Sequence, residues 1–249
     1  MKTIKILLSF LLFFLLCPNL SAQQAFWVHE DPVYPAKAAD YEAYCSTLAV
    51  NSKKYDIKKA NWFTISTDDL RYFHISPIQK MADLDQSRFS VLQDKMGEQE
   101  FNQLFENFDN CYDNHFDYII HLDDDLSYMP EGIDPSGSGS AFVKLEFFYA
   151  TPQNFEKLLD LAKSFKELYA NKKSKEYYRV FRSGFGSQGQ FIIVAISAKN
   201  ASEYEKIRIE NKELLGTDRD KIYDELLKTI SKVETLNGYM REDLSYEPQ

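Results

Sequence analysis

Apolar positions along this chain switch between two periods, and the switches recur. Tyr41, Tyr44, Cys45 and Leu48 stand at i, i+3, i+4 and i+7, the spacing of one helical face, and Leu158, Leu161, Ala162 and Phe165 repeat it 117 positions later. Ahead of each helix lies a strand-like run, one ending at Pro35 and the other at Pro152. Two more strand-like runs follow, residues 61–66 and 71–76 around Thr67-Asp68-Asp69-Leu70, and residues 177–183 and 190–198 around a glycine-rich turn. Met81-Ala82-Asp83 opens a helical stretch reaching about Cys111, as Asn200-Ala201-Ser202 opens one reaching about Leu236. Each half closes on a short strand, residues 116–122 and 238–244, and on matching words: Asp124-Asp125-Leu126-Ser127-Tyr128-Met129-Pro130 and Glu242-Asp243-Leu244-Ser245-Tyr246-Glu247-Pro248, offset by 118.

The order in each half is β-α-β-β-α-β, the split β-α-β pattern of ferredoxin-like units. The predicted fold is α+β: tandem ferredoxin-like βαββαβ units, residues 23–130 and 141–249, joined by a Gly- and Ser-rich linker at 131–140. Each unit gives a four-stranded antiparallel sheet with its helices on one face and an apolar second face that needs a cover. The other copy supplies it, so the two sheets are expected to pack face to face as a barrel or sandwich with a central space. The closing words are expected to be structural, with Tyr128 and Tyr246 docked at a sheet edge and Asp125 and Asp243 accepting backbone hydrogen bonds.

In element order, duplication and length the chain resembles the dimeric α/β-barrel superfamily, which includes antibiotic biosynthesis monooxygenase-like, stress-responsive barrel and haem-handling proteins. The resemblance covers nearly all of the chain after residue 22 and rests on no signature motif, so it carries over no catalytic residue. It implies a cavity used for a small hydrophobic or aromatic ligand.

Residues 1–22 read as a secretory signal peptide: Lys2 and Lys5, the apolar run Ile6 to Leu16, then Pro18 and the small residues Ser21 and Ala22 before the expected cleavage. A secreted or periplasmic location follows. Cys17 offers lipidation as an alternative, against which Leu16 stands where a small residue is expected. No later segment is long and uncharged enough to span a bilayer, so no membrane insertion is expected. Removing Lys2 and Lys5 takes the formal charge from -9 to -11, which repels nucleic acid. Cys45 and Cys111 remain, either as a disulfide or as small buried core residues.

Motifs for chemistry are few. Gly184-Phe185-Gly186-Ser187-Gln188-Gly189 spells a dinucleotide fingerprint, but strands flank it on both sides and no helix follows, so it reads as a hairpin turn. Asp123, Asp124 and Asp125 with Asp68 and Asp69 lack the glycine of a calcium loop. No pattern assigns a metal or a cofactor, and hydrolase motifs are absent. His29, His74 and His121 fall on predicted neighbouring strands and could converge on a metal or haem iron, or serve as ordinary strand histidines.

Strand parity gives the sharpest expectation. If Val143, Leu145 and Phe147 face the helices, Lys144 and Glu146 face the other sheet, and the offset of 117 puts Trp27 and His29 there too. The predicted ligand site is therefore Trp27, His29, Lys144 and Glu146 between the sheets, with Tyr72 and His74 nearby. Three functions remain open: an exported, non-enzymatic barrel binding a small organic ligand; an oxidoreductase-like barrel, cofactor-free or haem-dependent; and a surface protein touching glycans or a protein partner.

Overall fold

The computed structural model describes residues 23–132 and 141–249; the expected export segment, and the linker beyond residue 132, lie outside the described residues. Eight antiparallel strands close into one barrel: β1 (Ala25–Pro32), β2 (Phe63–Thr67), β3 (Arg71–Ile78), β4 (Phe116–Leu122), β5 (Phe142–Ala150), β6 (Arg179–Ser183), β7 (Gln190–Ala198) and β8 (Lys232–Met240). The order around the barrel is β1-β3-β2-β8-β5-β7-β6-β4. Each half thus contributes four contiguous strands, and the halves join edge to edge, β2 to β8 and β4 to β6. Closure removes the open sheet edges that two separate sheets would leave.

Helices cover the outside. The first half carries α1 (Ala38–Lys54), α2 (Ser90–Met96) and α3 (Glu98–Asp109); the second carries α4 (Phe155–Lys172) and α5 (Ala201–Thr229). The long helix expected from Met81 to Cys111 is three pieces, a short 3-10 turn at Met81–Asp85 and then α2 and α3, which break at Gly97, whose φ of 92° no helix accommodates. The helix expected to reach Leu236 ends at Thr229, because residues 232–240 form β8 along the whole length of β5. The pull of a full antiparallel partner overrides the helical reading there.

The barrel interior is packed solid. Val28, Phe73, Ile75, Tyr118, Ile120, Val143, Leu145, Phe147, Phe181 and Ile193 belong to one buried cluster that leaves a void of only about 40 Å³. This corrects the parity assignment: Val143, Leu145 and Phe147 face the barrel axis, and their alternates Lys144 and Glu146 face the helices. The inside of a closed eight-stranded barrel is the driest surface of the sheet and takes the unbroken apolar stripe. The outer face, only partly roofed by helices, takes the mixed one.

The closing words dock as expected at the tyrosines: Tyr128 bridges Tyr178 and Tyr246 bridges Trp62. The carboxylates differ. Asp123, not Asp125, accepts the Leu126 N–H, while Asp243 receives the Arg241 guanidinium. The hairpin between β6 and β7 is the glycine-rich turn, and at Gly186 (φ 83°) a Cβ would sit 2.5 Å from the Asp117 carbonyl oxygen. Only glycine lets this turn close against β4. Cys45 and Cys111 are free, buried thiols in one cluster.

Candidate functional site

Two cavities of nearly equal size lie between the barrel wall and the helices, about 280 Å³ in the first half and about 270 Å³ in the second. The first gathers Trp27, His29 and His74 from the predicted site. Tyr72 shares their side of the sheet but packs on Tyr41 and donates to Glu42 Oε1 at 2.7 Å. Glu146 lines the second cavity, and Lys144 donates to Asn237 Oδ1 at 2.8 Å. The six residues therefore do not share one space, and none of them lies between sheets. His121 is separated from the other histidines: β1 pairs it with Ala25, four residues along from His29. His115, just before β4, takes its place, with its ring centroid 4.9 Å from that of His29.

The floor of the first cavity is a hydrogen-bonded chain across β1, β3 and α1. The β1–β3 register sets His29 opposite His74. Tyr41, on the inner face of α1, bonds Asp31 Oδ2 at 2.5 Å and His74 Nε2 at 2.8 Å through its hydroxyl. Thr64 donates to the Leu244 carbonyl at 2.9 Å and lies 3.0 Å from His74 Nδ1. With the Thr64 proton directed at Leu244, His74 donates through Nδ1 and Nε2 becomes a bare acceptor. Tyr41 has one proton to share between two acceptors, Asp31 and His74.

Burial sets the charges. Complete burial pushes His74 down to about 4, so it is neutral. His29 is different: burial works against its charge, but Asp117 and Asp31 flank it and raise it to about 10. Its Nδ1 lies 2.9 Å from Asp117 Oδ1, to which the Trp27 indole also donates at 2.9 Å. Asp31 feels burial pushing its carboxyl up, but His29 and Tyr41 prevail and hold it below the usual range. Its Oδ1 pairs with His29 Nε2 at 3.2 Å without hydrogen-bond geometry and has no hydrogen-bond partner among the described residues.

Aromatic walls rise from this floor: Trp62, Phe89, Phe105, Phe108 and Tyr112. Arg88 stands over the Trp27 ring at 4.5 Å. Sequence reasoning missed Asp31, Tyr41, Thr64, His115 and Asp117. The signal was present in two His-x-Asp runs, His29-Glu30-Asp31 and His115-Phe116-Asp117, since residues two apart on a strand share a face.

No protein-family model and no curated protein matches the chain. Solved structures do. An anthrone oxidase-like protein superimposes with a TM-score of 0.62 at 12% identity, over 89% of this chain and 93% of that one. The fold is the dimeric α/β barrel. Two further dimeric α/β barrels are similar: a monooxygenase-like protein of Lactobacillus acidophilus (TM-score 0.52, 9% identity, 90% of this chain and 96% of that one) and one of Fusobacterium nucleatum (0.51, 11%, 89% and 94%). At such identities the likeness concerns the fold alone.

Proposed function

We propose that this chain is an exported dimeric α/β barrel that binds a planar aromatic molecule carrying one polar oxygen in the cavity beneath α1. The observation that carries the reading is a cavity walled by aromatic rings whose floor is a hydrogen-bonded polar cluster of His29, Asp31, Tyr41 and His74. Rings stack on the Trp27, Phe105 and Phe108 side, while the ligand's oxygen meets the polar floor and Arg88. Export rests on the charge and apolar pattern of residues 1–22. The two halves are read as copies of one βαββαβ unit, with residues 131–140 joining them, on the shared offset and the matching strand orders.

A second reading, oxidation of the bound molecule, draws support from the oxidase-like and monooxygenase-like names of the fold neighbours and from the hydrogen-bonded polar chain on the floor. The test is native mass spectrometry of the mature chain with a panel of hydroxylated two- and three-ring arenes. One molecule bound per chain is expected, with affinity at least about ten-fold weaker (about 1.4 kcal/mol) in Trp27→Ala and unchanged in Glu146→Ala. Loss of binding in Glu146→Ala alone would move the site to the second cavity. Oxygen uptake on the best binder, lost in Tyr41→Phe, would support oxidation; no uptake from any binder would remove that reading.

A further inference from the structure

The two His-x-Asp runs lie on adjacent antiparallel strands, and the register sets them head to tail. His29 pairs with Asp117, and one residue past the last rung, Glu30 with Phe116, Asp31 comes opposite His115. Histidines and aspartates therefore alternate around a small square at the mouth of the first cavity. One ligand atom from each of His29, Asp31 and His115 lies within 4.8 Å of the other two.

We propose that His29, Asp31 and His115 form a binding site for one divalent first-row transition-metal ion. The central argument is how the first two ligands are held. Asp117 Oδ1 fixes the His29 ring from behind through Nδ1, and Tyr41 fixes the Asp31 carboxylate from behind through Oδ2. Each is left with one atom, Nε2 and Oδ1, facing the other as an ion pair at 3.2 Å without hydrogen-bond geometry, a pair that a metal ion would replace with release of the His29 proton. The Asp31 atom is an oxygen on a residue only 2% exposed that has no hydrogen-bond partner among the described residues. An oriented imidazole backed by a carboxylate, beside an oriented carboxylate with a bare oxygen, is the arrangement metal sites use to hold their ligands.

The donor set selects the ion. Two imidazole nitrogens and one carboxylate oxygen suit iron(II), manganese(II), cobalt(II) or zinc(II), whereas calcium and magnesium prefer all-oxygen shells. Three protein ligands leave coordination positions free on the cavity side, and half-exposed His115 leaves the site open to solvent. His74 does not belong to the set, since both its nitrogens are engaged by Thr64 and Tyr41. At the positions of His29 and Asp31, the second half carries Glu146 and Phe148, so it cannot repeat the site.

The metal proposal goes beyond aromatic binding and does not depend on it. The experiment titrates tag-free, chelator-treated mature chain with cobalt(II) alone, following visible d–d absorption and heat. One equivalent is expected to bind. His115→Ala, a loop change that circular dichroism should show to be folded, abolishes the absorption, as does Asp31→Asn. Asp117→Asn, which loosens the His29 ring without removing a ligand, weakens binding about 10–100-fold. His121→Ala and Glu146→Ala leave it unchanged. No stoichiometric binding by the wild type, or binding that survives both His115→Ala and Asp31→Asn, would overturn the site. Because no arene is present, either outcome leaves the aromatic-ligand reading to its own test.

Discussion

The two outer cavities occupy equivalent places on the two halves and have almost the same volume, yet their floors are chemically opposite. Matching by offset and by cross-strand register, His29, Asp31, Tyr41, Cys45 and His74 of the first correspond to Glu146, Phe148, Leu158, Ala162 and Val194 of the second. All ten line their respective cavities. A linked polar chain in one half is replaced by apolar side chains and a single carboxylate in the other. Backbone and packing are kept while the chemistry is confined to one side, so the same scaffold position shows what the fold requires and what the site adds.

Buried polar groups remain in the second cavity, arranged differently. Glu176 takes hydrogen bonds from Tyr169 at 2.8 Å and Asn211 at 3.2 Å on one oxygen, and its other oxygen has no partner. Burial raises its carboxyl above the usual range, against the opposing pull of those two donors. Glu146 is raised chiefly by burial as well. No ion pair joins Lys144 to Glu146 among the described residues. The second cavity thus holds carboxyls whose proton affinity burial raises, where the first holds charged pairs.

The sharpest way to break this contrast is to change the helix residue under each roof. Tyr41→Leu installs the second half's residue in the first and strands both Asp31 Oδ2 and His74 Nε2; urea unfolding should show a loss of about 3 kcal/mol. Leu158→Met, at the equivalent place, removes no polar partner and should cost about 1 kcal/mol or less. Equal losses would erase the distinction. Next in size is Gly186→Ala, which forces a Cβ against the Asp117 carbonyl and should cost about 2 kcal/mol. It should also perturb His29, which Asp117 orients, while leaving Tyr169 and Glu176 untouched by NMR.

The smallest expected effect depends on pH. A carboxyl raised by folding contributes stability that is present below its unfolded value, about 4.5, and is lost as pH rises through the folded value. Glu176→Gln removes that loss, so the variant should be about 1 kcal/mol more stable than the parent near pH 8, with no gain near pH 4. A gain of the same size at both pH values would show that the carboxyl is not held in its neutral form.

The element order was legible because both periods recur at a constant offset, so an error in one half was checked by the other. Several boundaries were exact: residues 116–122 and 190–198 are strands as predicted. The face was not legible. Alternation in Val143-Lys144-Leu145-Glu146-Phe147 shows that two sides differ, but not which side is the barrel axis, and that depends on closure between β2 and β8 and between β4 and β6, contacts distant in sequence. Strand adjacency put His74 beside Trp27 and His29, and the three line one cavity, though on the outside of the barrel and without Lys144 and Glu146. Tyr41 was read as a core helix position, which it also is, because nothing in helical spacing says that its hydroxyl meets a buried Asp.

The central claim is that the ligand sits in the first cavity, and the chain carries its own reporter: its only two tryptophans, Trp27 and Trp62, both line that cavity. Titrating the mature chain with a hydroxylated arene that absorbs where indole emits should quench tryptophan fluorescence saturably at one equivalent, with the same affinity that calorimetry gives. Calorimetric binding that leaves the emission unchanged would place the ligand elsewhere and contradict the account.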